Sequence, residues 1–79
     1  MTGESKERLR TITAPYGREV RLEDLRFESG MRLLRIVIRE GRRITQLDID
    51  AATAHAWADA MKAWAETVPQ SAPLPPSND

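Results

Sequence analysis

The chain has 79 residues, with 12 Lys and Arg against 12 Asp and Glu, one His and no Cys. This length allows one small domain, and the absence of cysteine excludes a disulfide framework, a thiol nucleophile and a cysteine-rich zinc site. No stretch approaches the roughly 18 apolar residues of a membrane span, and the charged N-terminus lacks the apolar core of a secretory signal. We therefore expect a soluble, cytoplasmic protein.

The net charge of zero is an average over two unlike halves. Residues 1–47 carry eleven basic against seven acidic side chains, a net of +4, whereas residues 48–79 carry one against five, a net of −4. Such a dipolar surface suits docking to a charged partner. A high genomic G+C content, which favours Arg and Ala codons, is the competing explanation.

The first 17 residues are polar and end in Ala14-Pro15-Tyr16-Gly17, a sequence typical of a turn because Pro fixes one torsion and Gly accepts positive φ. We interpret residues 1–17 as an N-terminal arm. Within it, Leu9–Thr13 is a possible fourth strand of the sheet that follows.

Two X-Gly dipeptides, Ser29-Gly30 and Glu40-Gly41, separate runs rich in Leu, Ile and Val, and each predicts a β-hairpin with a two-residue loop. With these loops, Leu25 faces Leu34, and Ile36 faces Thr45. Since side chains alternate along a strand, one apolar face results, formed by Leu25, Phe27, Leu34, Ile36, Ile38, Thr45, Leu47 and Ile49. Val20 and Leu22 fall on the opposite face from Leu25 and Phe27 by this alternation. A bulge near Glu23-Asp24 would reconcile them and is the favoured explanation, and two short strands that meet there are the alternative.

Asp50 follows the third strand and is typical of a helix N-cap. The alanine-rich sequence from Ala51 to about Thr67 predicts a helix, and Pro69 stops it. Its apolar residues recur at helical spacing and form one stripe, namely Ala54, Trp57, Met61, Trp64 and Val68. We expect Trp57 and Trp64 to be buried against Ile36 and Leu47. Residues 69–79, rich in proline, predict a disordered tail.

The predicted fold class is therefore α+β. It consists of a three-stranded antiparallel meander, with a possible fourth N-terminal strand, followed by one C-terminal helix packed on one sheet face. Residues 18–68 form this β-β-β-α domain, between the arm (1–17) and the tail (69–79). So small a core leaves little spare stability, and association would add to it.

The second sheet face suggests where such association occurs. Met31, Leu33, Val37 and Ile44 lie there among arginines and other polar residues, and Val37 faces Ile44 in the predicted register. A fully solvated face alternates apolar and polar residues more cleanly, although scattered apolar surface residues are common. An apolar centre with an arginine-rich rim is typical of a protein contact. The candidate interaction residues are Leu33, Arg35, Val37, Arg39, Ile44 and Gln46.

Motifs for catalysis or cofactor binding are absent from the sequence. His55 and Asp59 lie four residues apart on the polar helix side, where a solvated pair is the ordinary explanation. Asp48 and Asp50 are too few ligands for a cation site, and helix capping accounts for Asp50. We expect no catalytic residues, no metal, no cofactor and no small-molecule substrate, and hence no enzyme.

Nucleic-acid binding is the alternative function. Arg26, Arg35, Arg39, Arg42 and Arg43 follow the sheet and its second turn, and a basic sheet can bind single strands where aromatic rings stack on bases. Only Tyr16 is expected to be free for stacking, because the other aromatic rings point into the predicted core. The sequence pI of about 6.6 is also low for a strong electrostatic binder.

Three segments carry a resemblance to a known family: Glu28–Leu34, Ile38–Arg43 and Leu47–Ala54. They resemble short bacterial proteins of unknown function over about residues 18–67, which implies a compact module and no site residues. The topology of successive hairpins and one helix also resembles single-stranded-DNA-binding coactivator domains and purine-rich-element-binding repeats. Those domains have four strands and dimerise, but the likeness is one of fold and carries no function.

The function that we expect is a small non-enzymatic protein-interaction module. It would act as an accessory subunit or homodimeric adaptor that docks on a larger protein. Protein contacts should depend on Leu33, Val37 and Ile44 and tolerate moderate salt, whereas nucleic-acid binding should depend on the arginines and weaken steeply with salt.

Overall fold

A computed structural model describes residues 4–69. The predicted disordered tail lies outside the described residues except for Pro69. The chain forms strands β1 (Glu4–Ala14), β2 (Arg18–Phe27), β3 (Arg32–Glu40) and β4 (Arg43–Ile49), followed by helix α1 (Ala51–Ala65). The four strands make one antiparallel sheet in the order β1-β2-β3-β4, and α1 packs against β3. The predicted α+β class, with its possible fourth strand, is confirmed.

The N-terminal segment is a full edge strand. β1 pairs with β2 from Glu4 opposite Phe27 to Ala14 opposite Arg18, so the sheet includes most of the predicted arm. The register shifts once, between Arg8 and Arg10, which places an irregularity at Leu9. The predicted bulge near Glu23-Asp24 is wrong, because β2 pairs with β3 without interruption along that stretch.

The β2–β3 hairpin has a longer loop than predicted. Gly30 N–H donates to the Phe27 carbonyl and Phe27 N–H donates to the Met31 carbonyl, both at 2.9 Å, which leaves a three-residue loop of residues 28–30. Gly30 supplies the positive φ of 99° that such a loop requires. The predicted register is therefore wrong by one residue: Leu25 pairs with Leu33, not with Leu34. A one-residue shift moves every side chain of a strand to the other face.

The β3–β4 hairpin turns at Gly41-Arg42, one residue later than predicted, with Gly41 at a φ of 64°. Its pairs differ from the predicted ones by two residues, so Ile36 faces Leu47 and Leu34 faces Ile49. Because a two-residue shift preserves the alternation of side chains, the predicted facial assignment of β3 and β4 is confirmed even though the predicted pairs are wrong.

The sheet consequently has apolar residues on both faces. We call one the Ile36 face; its apolar members are Ile12, Val20, Leu22, Leu34, Ile36, Ile38, Leu47 and Ile49. The other is the Val37 face, with Leu25, Phe27, Leu33, Val37 and Ile44. Val20 and Leu22 of β2 therefore lie on the Ile36 face and Leu25 and Phe27 on the Val37 face, so one regular strand places apolar side chains on both faces.

The core is small. Among residues 4–69, the buried apolar side chains are Leu25, Ile36, Val37 and Ile49, and the first three lie on the two central strands. Ten large apolar side chains are exposed in the same part of the chain, more than twice the number buried. A folded domain that exposes more large apolar side chains than it buries has apolar surface that a partner can cover.

Helix α1 begins as predicted, with Asp50 as its N-cap: the Asp50 carboxylate accepts a hydrogen bond of 2.9 Å from Thr53 N–H. Its last residue is Ala65, slightly before the predicted end. The predicted burial of the two tryptophans is wrong, because Trp57 is 38% and Trp64 is 67% exposed. Only Ala54 is half-buried among the helical residues, so the helix contacts the sheet through its first turns.

None of the helices among residues 4–69 is long and apolar enough to cross a membrane.

Candidate interaction surfaces

The six predicted interaction residues all lie on the Val37 face, on β3 and β4. Their exposure differs widely. Val37 is buried, with only 7% of its surface exposed, and Leu33 is half-buried, whereas Ile44 is 63% exposed. Val37 faces Gln46 and Ile44 faces Arg39, so the predicted pairing of Val37 with Ile44 is wrong. The structure does not test binding by this set, and it stays a prediction, with Ile44 as its exposed centre.

Ion pairs neutralise much of the Val37 face. Arg35 donates to both carboxylate oxygens of Asp48, at 2.9 and 3.1 Å, directly across from it on β4. This bidentate bond lowers the pKa of Asp48 and raises that of Arg35. Arg21 donates to the buried Glu23 at 3.0 Å on the same face. Arg35 is therefore already occupied by a carboxylate of its own sheet, which leaves Arg39 as the exposed cation of the predicted set.

A second group of charges lies on the Ile36 face, near the start of α1. Asp24 is buried, with only 6% of its surface exposed. It accepts hydrogen bonds from Arg26 at 2.8 Å and from Arg32 at 3.0 Å. Arg26, followed by Arg32, holds the pKa of Asp24 below its ordinary value, although burial opposes the shift. Beside this group runs an open groove of about 670 Å³, whose walls include Leu34, Ala51 and Ala54. The groove arginines are thus matched by a carboxylate within the chain.

A row of exposed large apolar side chains follows α1 and the residues just after it. We call Trp57, Met61, Trp64 and Val68 the helix stripe. Exposure along the helix rises from Trp57 at 38% through Met61 at 55% to Trp64 at 67%. The helix therefore leaves its own sheet as it proceeds, and its C-terminal half carries large apolar side chains into solvent.

The short β4–α1 connection explains why the sequence analysis missed this surface. Only Asp50 separates Ile49, the end of β4, from Ala51, the start of α1. A helix that folds back over the middle of a sheet is usually joined to its strand by two to six residues, roughly. A one-residue connection leaves the chain little room to reverse over the sheet, which agrees with the contact of only the first turns of α1 with β3, and this short connection is visible in the sequence.

The remaining chemistry-bearing residues are separated or already engaged. His55 and Asp59 lie on exposed α1, as predicted from their spacing. Asp48 pairs with Arg35 and Asp50 caps α1, and the Thr53 hydroxyl and N–H lower the pKa of Asp50. Within residues 4–69, no three His, Cys, Asp or Glu side chains are grouped so as to hold a metal ion.

The turn end of the sheet combines an aromatic ring with arginines. The β1–β2 and β3–β4 turns lie at the same end, since Glu19 pairs with Arg39. Tyr16 is 45% exposed, adopts a φ of 65° that is unusual for a bulky residue, and stacks on Arg18 at 5.7 Å. Arg18 also pairs with Glu40. Besides Arg18, the exposed arginines of this end are Arg39, Arg42 and Arg43.

The region with this geometry is also the region that matches a known family. A family of unknown function, DUF6967, matches residues 3–67, which span all the strands and the helix. The chain belongs to this family. No curated protein and no solved structure matches it. The predicted membership in a family without an assigned activity is confirmed, and its match includes the N-terminal strand.

Proposed function

We propose that this DUF6967 protein is a small non-enzymatic protein-interaction module and that the helix stripe is its principal docking surface. The observation that carries the proposal is the exposure of Met61 and Trp64 at 55% and 67% on an otherwise regular helix. Tryptophan and methionine are enriched at protein contacts, and tryptophan is common among the residues that dominate binding energy.

The surroundings of the stripe support a protein partner. Its flanks are small, with Ala58, Ala60 and Ala65 beside the large residues, and the charged residues Asp59, Lys62 and Glu66 lie on the opposite side of the helix. An apolar centre free of charges can be desolvated at little cost, whereas burying an unpaired charge is expensive. This surface suits an accessory subunit or a homodimeric adaptor.

Matched substitutions test the proposal. Trp64→Glu places one negative charge in the stripe, and His55→Glu places the same charge on the polar side of the same helix. We expect tagged wild type and His55→Glu to retain the same stoichiometric partner, including a second copy, and Trp64→Glu to lose it. Quantitative affinity purification from the native host, with circular dichroism to verify folding, makes the comparison. Retention by folded Trp64→Glu would reject the stripe as the docking surface.

The same assay evaluates the predicted set on the Val37 face. Val37→Glu would place a charge at a buried position and would disturb the fold. Ile44→Glu is the suitable probe, because Ile44 is 63% exposed. If Ile44→Glu loses the partner and Trp64→Glu retains it, the docking surface is not the helix stripe. It is then the predicted set on the Val37 face, namely Leu33, Arg35, Val37, Arg39, Ile44 and Gln46.

Single-stranded nucleic-acid binding is the second candidate, and the turn end of the sheet favours it. An exposed Tyr16 beside Arg39, Arg42 and Arg43 combines a stacking ring with cations that can contact phosphates. Fluorescence anisotropy with a labelled single-stranded oligonucleotide tests it at several salt concentrations. Binding by this surface requires a steep loss of affinity with salt, and Arg42→Glu should weaken binding and reduce the salt dependence. Binding that is weak and equal in wild type and Arg42→Glu would reject this candidate.

A further inference from the structure

We infer that the surface covering the helix stripe is the Ile36 face of a second copy of this chain, in a reciprocal dimer. This inference rests on the proposed function and names the partner of the same surface. In such a dimer, the stripe of each chain packs on the sheet of the other, so that one kind of contact forms twice around a two-fold axis.

The Ile36 face has room for this contact. The chain's own helix meets the end of the face at Leu34, through Ala51 and Ala54. On the two edge strands of this face, Leu47 of β4 is 47% and Ile12 of β1 is 45% exposed. One chain therefore displays exposed apolar side chains on the helix and on the Ile36 face that do not cover each other.

Charge favours helix-on-sheet pairing over helix-on-helix pairing. Residues 4–49, which form the sheet, carry eleven basic against eight acidic side chains, a net of +3. Residues 50–69, which form the helix and its ends, carry Lys62 against Asp50, Asp59 and Glu66, a net of −2. Two acidic helices side by side would repel each other, whereas an acidic helix on a basic sheet is attracted.

The Ile36 face carries two exposed arginines that its own ion pairs do not include. Arg10 and Arg43 lie on the Ile36 face, opposite Leu22 and Glu40 in the register, and are exposed. No carboxylate among residues 4–69 forms an ion pair with either of them. Asp59 and Glu66 are likewise exposed on the helix. Each chain thus has exposed positive charge beside the sheet surface, and exposed negative charge on the helix, on the side away from the stripe.

One contact alone buries less area than a stable dimer usually does, and the reciprocal arrangement doubles the area, so that a dimer held by one contact would be weaker but not abolished. A Trp side chain presents up to about 250 Å², so Trp57 and Trp64 together leave roughly 250 Å² uncovered at their observed exposures of 38% and 67%. A stable interface buries on the order of 800 Å² per partner. In the reciprocal arrangement each chain contributes a stripe and a sheet face, which brings the total toward that range.

Complementation between two disabled variants tests the arrangement. Trp64→Glu disables the helix surface and Leu47→Glu disables the sheet surface. In a reciprocal dimer each variant alone loses both contacts, but a mixture keeps one contact, formed by the intact helix of Leu47→Glu on the intact sheet of Trp64→Glu. Sedimentation velocity on the full chain, with circular dichroism alongside, should show a wild-type dimer, loss of the dimer in each variant, and its partial return on mixing.

Ile44→Glu is the matched control, because Ile44 lies on the same strand as Leu47 but on the opposite face and is more exposed. It should sediment as the wild type does. A Leu47→Glu variant that dimerises as well as Ile44→Glu, or a mixture that recovers no dimer, would overturn the inference. So would a wild type that is monomeric at high concentration. If Trp64→Glu nevertheless abolishes binding to another protein, only the second-copy inference fails and the proposed function stands.

Discussion

The sheet and the helix of this chain are equally regular but differ in what covers them. Three of the four buried apolar side chains among residues 4–69 lie on the central strands, where neighbouring strands protect them. The helix has a formed N-cap and a hydrogen-bonded C-terminus, yet none of its residues is buried. Local signals therefore specify that the helix forms, and they do not specify what it packs against.

This difference has an energetic consequence. An isolated helix of 15 residues is marginal in water, because most helical stability in proteins comes from packing of an apolar face. Neighbouring strands cover the central strands of the sheet, whereas α1 packs against β3 only through its first turns. The helix is thus the part of the molecule that depends most on a partner, which is why the proposals above centre on it.

The largest expected effect compares one core and one stripe residue. Leu25 is fully buried at 0% exposure and Met61 is 55% exposed. Leu25→Ala should destabilise the fold by about 2–5 kcal/mol, as large-to-small core changes do. Met61→Ala should change it by about 0.5 kcal/mol or less, as surface substitutions do. Urea unfolding followed by circular dichroism, at a protein concentration low enough to keep the chain monomeric, measures both.

The same pair of variants can break the comparison. If Met61→Ala costs as much as Leu25→Ala in dilute solution, α1 packs within its own chain and the stripe is core. If Met61→Ala becomes costly only as the protein concentration rises, the missing energy lies in association, because a partner that binds the folded state stabilises it by mass action.

The strands and the helix were predictable because each has a local signal. Alternating apolar residues between glycines indicated β2 to β4, and Asp50 before an alanine-rich run indicated α1. The register of the first hairpin was not predictable from Gly30 alone, since positive φ at glycine serves two-residue and three-residue loops alike. The one extra residue in the loop decides on which face of the sheet Leu25 lies.

The candidate surfaces were less predictable because exposure is a property of tertiary structure. The spacing of Ala54, Trp57, Met61 and Trp64 correctly indicated one stripe, but a stripe has the same pattern whether its own sheet or another molecule covers it. Likewise, Arg35 in the sequence is a free cation until the register places Asp48 opposite it. The N-terminal strand was only a possibility because its outward residues are charged, as is common on edge strands.

A smaller effect on stability, seen only at acidic pH, should come from the ion pairs of Asp24 in the sheet and not from the helix. Asp24 accepts hydrogen bonds from Arg26 and Arg32, which lower its pKa in the folded state. A carboxyl with a depressed folded pKa contributes stability above its unfolded value of about 3.9, and this contribution is lost as the pH falls through the folded pKa. Wild type should therefore lose stability on acidification below about pH 5, in part through Asp24.

Asp24→Asn removes this titration and leaves a side chain of similar size. We expect its urea midpoint to lie below that of the wild type near neutral pH and to fall less as the pH is lowered toward about 3. Asp24→Asn should still lose some stability as the pH falls, because Asp48 and Asp50 also have lowered pKa values. Glu28→Gln, in the exposed β2–β3 loop, serves as the control and should follow the wild type. If Asp24→Asn and wild type instead lose stability in parallel, the arginine contacts of Asp24 contribute nothing to the sheet, and the contrast between a charge-stabilised sheet and an uncovered helix would have to rest on apolar burial alone.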